Sequence, residues 1–123
     1  MTDNKSINQT NKILEFVIKG IQDKKGHDIV NLNLGKIEHA VCNNFVICHG
    51  DSKRQVTAIA DSVQEMVRIN THEKPWHKEG TENADWILLD YADVVVHIFS
   101  SETRPFYNLE GLWADAQIQK IES

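Results

Sequence analysis

The sequence predicts an α/β domain: one compact unit in which a β-sheet carries amphipathic helices. Three observations predict it. Two stretches, 10–24 and 51–70, repeat their apolar residues at helical spacing. Runs with strand character, DIVNLNL, NFVICHG and WILLDYADVVVHIF, lie between and after them. The length of 123 residues fits a single domain with one sizeable core.

The polar start, residues 1–8, is expected to be loose, as chain ends without apolar anchors are. From Thr10 to Lys24, Ile13, Phe16, Val17 and Ile21 form one stripe, and Gly26 closes the helix. Val30, Leu32 and Leu34 then alternate with Asn31 and Asn33, the period-2 pattern of a strand with one buried face. NFVICHG is a short β-rich run ended by Gly50. In the second helix, Ser52 followed three residues later by Gln55 matches a capping box, with Asp51 as the rival cap. Behind it Val56, Ile59, Ala60, Val63, Met66 and Val67 line one face. Lys53 and Arg54 sit in the first turn, where cations oppose the helix dipole, which hints at a surface role. THEKPWHKEGTENA, with Pro75 and Gly80 and no periodicity, reads as a loop.

The stretch from Trp86 to Phe99 predicts a hairpin turning through Tyr91-Ala92. Alternation places Ile87, Leu89, Val94, Val96 and Ile98 on one side, beneath the helices. Trp86, Leu88, Asp90, Val95, His97 and Phe99 share the other. That mixed face is either an association surface or a face covered by another element, such as the C-terminal segment; alternation leaves both open. RPFYNLEGLW predicts a short helix started near Pro105 and capped from Ser100, Ser101 or Thr103. Phe106, Leu109 and Trp113 fall near one face of it, with core the expected destination. The last residues, ADAQIQKIES (114–123), are expected to fray, and the domain is expected over 9–116 with 117–123 as its tail.

Composition narrows the function. No window approaches the ~20 apolar residues of a membrane span, and the polar N-terminus lacks a secretory pattern, so a cytoplasmic, membrane-free protein is expected. Cys42 and Cys48 fit no zinc spacing and are expected as buried free thiols. Residues 1–78 hold 11 Lys/Arg against 9 Asp/Glu, and residues 79–123 hold 2 against 9, so the C-terminal part carries −7. Such a surface repels phosphate backbones and attracts basic proteins; little direct nucleic-acid contact is expected of it.

No catalytic set emerges. Asp90 and Asp93 are three apart, on opposite faces of a strand, and Asp suits a turn. Gly50-Asp51-Ser52 before a helix is similar to the glycine-serine element of nucleotidyltransferases, but no D-x-D pair stands ready to hold magnesium. His72 and His77 lack a third ligand nearby, and His97 among valines reads as a sheet residue rather than a base. Neither cysteine has an electropositive setting. No cofactor and no metal is expected.

Three long motifs, NNFVICHGDSKRQVTAIAD (43–61), WILLDYADVVVHIF (86–99) and RPFYNLEGLWADA (104–116), resemble in order and spacing those of the ribosomal silencing factor, or Iojap, family. The resemblance covers about residues 8–116. Asn43-Asn44 replace the usual Asp-Tyr, Ala92 the usual turn glycine, and Pro105 a charged residue. The resemblance implies a mixed sheet of nucleotidyltransferase-like topology without its metal-binding acids. It implies a bacterial protein, not an enzyme, that binds the fourteenth protein of the large ribosomal subunit and blocks joining of the small subunit when nutrients are short. Relatives in organelles act in large-subunit assembly. Candidate partner-binding residues are Trp86, Leu88, Asp90, Tyr91, Arg104, Tyr107 and Glu110, with Trp86 as anchor and Asp90 and Glu110 meeting basic side chains. A nucleotide-binding or nucleotidyltransferase-like enzyme using Gly50–Ser52 is the alternative; a third reading is a homodimer through the open sheet face, which is compatible with the first as a storage form hiding that face.

Overall fold

The computed structural model describes residues 4–35 and 42–123. Residues 1–3, part of the start expected to be loose, lie outside the described residues. The first helix, α1, spans Asn4–Asp23, beginning six residues before the apolar stripe predicts. It ends in a Schellman turn: Gly26 N–H donates to the Ile21 carbonyl and Lys25 N–H to that of Gln22. The left-handed residue is Lys25 (φ 59°), not the glycine that the sequence suggests. Gly26 stands beside it because a Cβ there would meet the Ile21 side chain.

Strands β1 (His27–Asn33) and β2 (Asn44–Gly50) follow, then α2 (Lys53–Thr71). Ser52 caps α2 as expected, its Oγ accepting from Gln55 N–H at 3.1 Å. Gln55 also accepts from Asp51 N–H and donates to the Lys24 and Lys25 carbonyls, tying the α1–β1 turn to the start of α2. The first-turn cation Lys53 faces Asp85 at 3.6 Å, which offsets its unfavourable place on the dipole.

The stretch read as a loop contains a short edge strand, β3 (His77–Glu79). The hairpin strands β4 (Trp86–Asp90) and β5 (Val94–Ser100) pair antiparallel, in the register Trp86–Phe99, Leu88–His97 and Asp90–Val95. The last helix is two pieces, α3 (Thr103–Tyr107) and α4 (Leu109–Leu112), broken at Asn108 with φ 45°. Asparagine tolerates that left-handed geometry, and the break turns α4 away from the line of α3. Residues expected to fray form β6 (Gln117–Ile121), antiparallel to β1. Its side chains are almost all exposed, so no apolar alternation marks it in the sequence.

The six strands form one mixed sheet, in the order β3-β4-β5-β2-β1-β6, parallel only between β2 and β5. Helices α1 and α2 cover one side. Val17, Ile21, Val56, Ile59 and Val63 meet Val46, Ile87, Leu89, Val96 and Ile98 there, and the two helices approach so closely that a Cβ on Gly20 would sit 2.7 Å from the Val63 Cα. Val30, Leu32, Phe45, Ile47, Val95 and Phe99 build the second cluster on the opposite side, capped by Leu109 and Ala116 with Trp113 against it. Strand β1 is therefore buried on both faces at its centre, Asn31 included, rather than on one. The mixed face of the hairpin is thus covered by the C-terminal segment in part and open in part.

Candidate docking surface

The open part lies where α3 meets the hairpin. Trp86 and Leu88 are half-buried on β4, and Asp90 closes the row. Tyr107 packs on the Trp86 ring at 4.7 Å, Phe106 stands perpendicular to Tyr107 at 5.1 Å, and Phe99 stacks beneath Trp86 at 4.9 Å. A continuous aromatic run therefore leads from the sheet out to solvent. Phe106 is 80% exposed, Leu112 74% and Tyr107 46%, against the expectation that Phe106 would face the core. The Asn108 break explains the difference: a single straight helix would have kept Phe106 in phase with Leu109, which alone of the two is buried. Across β4, Glu79 pairs with Leu88 and His77 with Asp90 on the edge strand, and His77 and Glu79 bond at 2.8 Å. The rim beside the apolar row is thus polar and acid-bearing.

Not all candidate residues reach this surface. Tyr91 is buried in the cluster under the helices, its hydroxyl without a hydrogen-bond partner among the described residues and its pKa raised by desolvation. Alternation carries its ring to the opposite side from Trp86 and Asp90, so it belongs to the core beside the turn and not to this surface. Arg104 is also turned inward, 9% exposed. Its guanidinium donates to Glu110 at 3.3 and 3.4 Å, to the His27 carbonyl at 3.3 Å and to His49 Nδ1 at 3.0 Å. A guanidinium only donates, so His49 is neutral there; burial, then the Arg104 charge, lowers its pKa. Arg104 and Glu110 thus neutralise each other and clamp α3 and α4 to β1 and β2. Trp86, Leu88, Asp90 and Tyr107 remain together at the surface, joined by Phe106, which the sequence pattern assigns to the core; Leu112 on α4 is a further exposed apolar residue.

The two hairpin aspartates are turn builders. Asp90 Oδ1 accepts from Ala92 N–H at 2.7 Å, closing the turn around an alanine at φ 73°. The Asp93 carbonyl accepts from both Asn43 and Asn44 N–H at 3.0 Å, and its carboxylate from the Thr10 hydroxyl at 3.1 Å. The Gly50–Ser52 turn is similarly occupied: Ser52 caps α2, and Asp51 bonds His27 at 2.8 Å. Among the described residues no three His, Cys, Asp or Glu side chains are grouped to hold a metal, and no helix is long and apolar enough to cross a membrane. Cys42 and Cys48 are free and buried, their thiols pushed up to about 12 by desolvation.

Comparison with known proteins gives the geometry a context. A family profile described as "Ribosomal silencing factor during starvation" matches residues 7–123. The chain is 39% identical over 111 residues to ribosomal silencing factor RsfS of Halalkalibacterium halodurans, which covers 90% of this chain and 93% of the relative. It is 28% identical to the Mus musculus protein named mitochondrial assembly of ribosomal large subunit protein 1, over 88% of this chain and 50% of that protein. A solved structure of a Chromobacterium violaceum protein matches with a TM-score of 0.79 and 32% identity, covering 92% of each chain.

Proposed function

This chain belongs to the ribosomal silencing factor family, regulators rather than enzymes, and we propose that it silences by occupying space on the large ribosomal subunit. It docks on a basic protein of that subunit, the fourteenth by the family resemblance, and the bound domain obstructs the small subunit. The observation that carries this is the aromatic run Phe106–Tyr107–Trp86, open to solvent beside Leu88 and Asp90 in the part of the chain that carries −7. Large rigid aromatics with an acidic rim suit a cationic protein partner: the rings supply the buried contact and the charge steers encounter. A phosphate backbone would be repelled by the same rim. The chemistry required is none; a binder of sufficient affinity acts by exclusion. The name of the mouse relative links a protein of similar sequence to large-subunit assembly, a role that one docking surface can serve equally.

The test is subunit joining. Purified bacterial large subunits are incubated with this protein, small subunits are added, and the mixture is resolved by sedimentation. Joined ribosomes decrease in proportion to the protein bound. Full joining with the protein seated on the large subunit would refute the exclusion step; no cosedimentation at micromolar protein would refute docking itself.

A further inference from the structure

His97 lies beneath the anchor of this surface. It occupies the middle of β5, between Leu88 of β4 and Ile47 of β2, and is 4% exposed. It stands diagonally across the ladder from Trp86, a separation that aromatic side chains bridge. Trp86 Nε1–H donates to His97 Nδ1 at 3.1 Å. The acceptor role fixes the tautomer: Nδ1 carries the lone pair, so the proton sits on Nε2. That Nε2 is buried and has no partner among the described residues, a cost to folding that an apolar side chain at this site would not incur. The imidazole is therefore a burden on the sheet, offset in part by the one bond it makes, which goes to a half-exposed indole.

We propose that His97 is a positioning residue: it fixes the orientation of the Trp86 indole before the partner arrives. The Phe99 stack below and the Tyr107 ring beside it limit tilt, and the hydrogen bond selects the ring flip. A free indole at a surface samples several rotamers, and ordering such a side chain on binding costs affinity; an indole already held incurs less of that cost. Burial keeps His97 neutral down to about pH 4, so the bond persists through the physiological range. This inference rests on the docking reading of Trp86.

The test joins a spectroscopic and a binding readout on the full chain. The three indole N–H signals, from Trp76, Trp86 and Trp113, are assigned by Trp→Phe variants. In His97→Phe the Trp86 signal moves upfield and its hydrogen exchange quickens. His97→Asn, whose Oδ1 hangs near the site of Nδ1, restores both in part. Affinity for purified large subunits falls about 3- to 10-fold in His97→Phe, the scale of one net hydrogen bond. In a Trp86→Ala background, adding His97→Phe weakens binding no further. Unchanged indole signal and affinity in His97→Phe, or an equal loss in the Trp86→Ala background, overturns this proposal alone. Trp86→Ala binding like the parent overturns the docking reading and, with it, the proposal.

Discussion

Replacing Arg104 by methionine separates two roles that the sequence does not distinguish. Methionine keeps the apolar stem and deletes the guanidinium. Four hydrogen bonds go with it: two to Glu110, one to the His27 carbonyl and one to His49 Nδ1. Each neutral acceptor left without its donor in a largely buried site costs roughly 1 kcal/mol. Losing one partner of a fully buried ion pair costs about 3–5 kcal/mol. The Glu110 side chain is 32% exposed, however, and its stranded carboxylate can hydrate. That term therefore shrinks to about 1 kcal/mol. The expected loss is about 3 kcal/mol, and a domain of this length loses roughly 4 °C per kcal/mol. A thermal melt should thus fall by about 12 °C, and a urea titration should show a lower midpoint at unchanged slope. Glu110→Gln, which keeps an oxygen acceptor, should lose only about 1 kcal/mol. In Arg104→Met, His49 also loses its adjacent cation and titrates at higher pH than in the parent. An Arg104→Met melt within about 2 °C of the parent, together with collapsed affinity for the large subunit, would refute the clamp. Arg104 would then be a contact residue and the clamp incidental.

Other changes test other parts. Ala92→Gly relieves a left-handed alanine in the hairpin turn and should stabilise the fold by about 0.5–1 kcal/mol; a lower melting temperature would mean that the Asp90 bond to Ala92 N–H, not the φ angle, governs the turn. Phe106→Ser and Leu112→Ser remove exposed groups, so stability should stay within about 0.5 kcal/mol while large-subunit affinity drops by about tenfold; parental affinity in both would exclude α3–α4 from the docking face. His97 gives the fold a pH dependence of known sign. Its folded pKa, lowered to about 4 by burial, lies below its unfolded value near 6.5, so the unfolded chain binds the proton more tightly. Its contribution is complete above about pH 6.5 and is lost as pH falls towards 4, by an amount on the order of 3 kcal/mol. Urea titrations at pH 7 and 4.5 should show that loss in the parent and a much smaller one in His97→Phe; parallel losses in the two would show that other groups carry it.

What the sequence made legible follows where burial is one-sided. The hairpin faces were readable because alternation maps directly onto two environments: Ile87, Leu89, Val94, Val96 and Ile98 under the helices, Trp86, Val95 and Phe99 opposite. The α2 stripe and its Ser52 cap were readable for the same reason, a strong 3.6 period bounded by a capping pair. The edge strands were not. β3 has three exposed residues, and β6 exposes nearly all its side chains, so both are held by backbone bonds to their neighbours, which leave no hydropathy signature. β1 shows the converse: a second buried face hides Asn31, and polar identity there misreads as exposure. The candidate contacts divided along the same line. Trp86, Leu88, Asp90 and Tyr107 lie at the surface, whereas Tyr91 and Arg104 turn inward, since a turn tyrosine and a lone arginine carry no pattern that reports direction. Asn108 was the one available signal that RPFYNLEGLW is two helices, and reading it would have moved Phe106 outward.

The division between the two sides of the sheet has a functional logic. A sheet covered completely on both faces would be more stable and would offer nothing to a partner. Here α1 and α2 seal one side with interlocked apolar side chains, close enough to require Gly20 at the crossing. The other side is sealed only over β1, β2 and β5, by Leu109, Trp113 and Ala116. Its remaining edge is held rigid from below: Phe99 under Trp86, His97 on the indole N–H, and the Arg104–Glu110 clamp setting where Tyr107 and Phe106 project. Rigidity of this kind would lower the ordering cost of the proposed docking. Loosening the support and deleting the contact should therefore weaken silencing in the same assay, but only the first should change the free protein: the indole signal for His97→Phe, and the melting temperature for Arg104→Met.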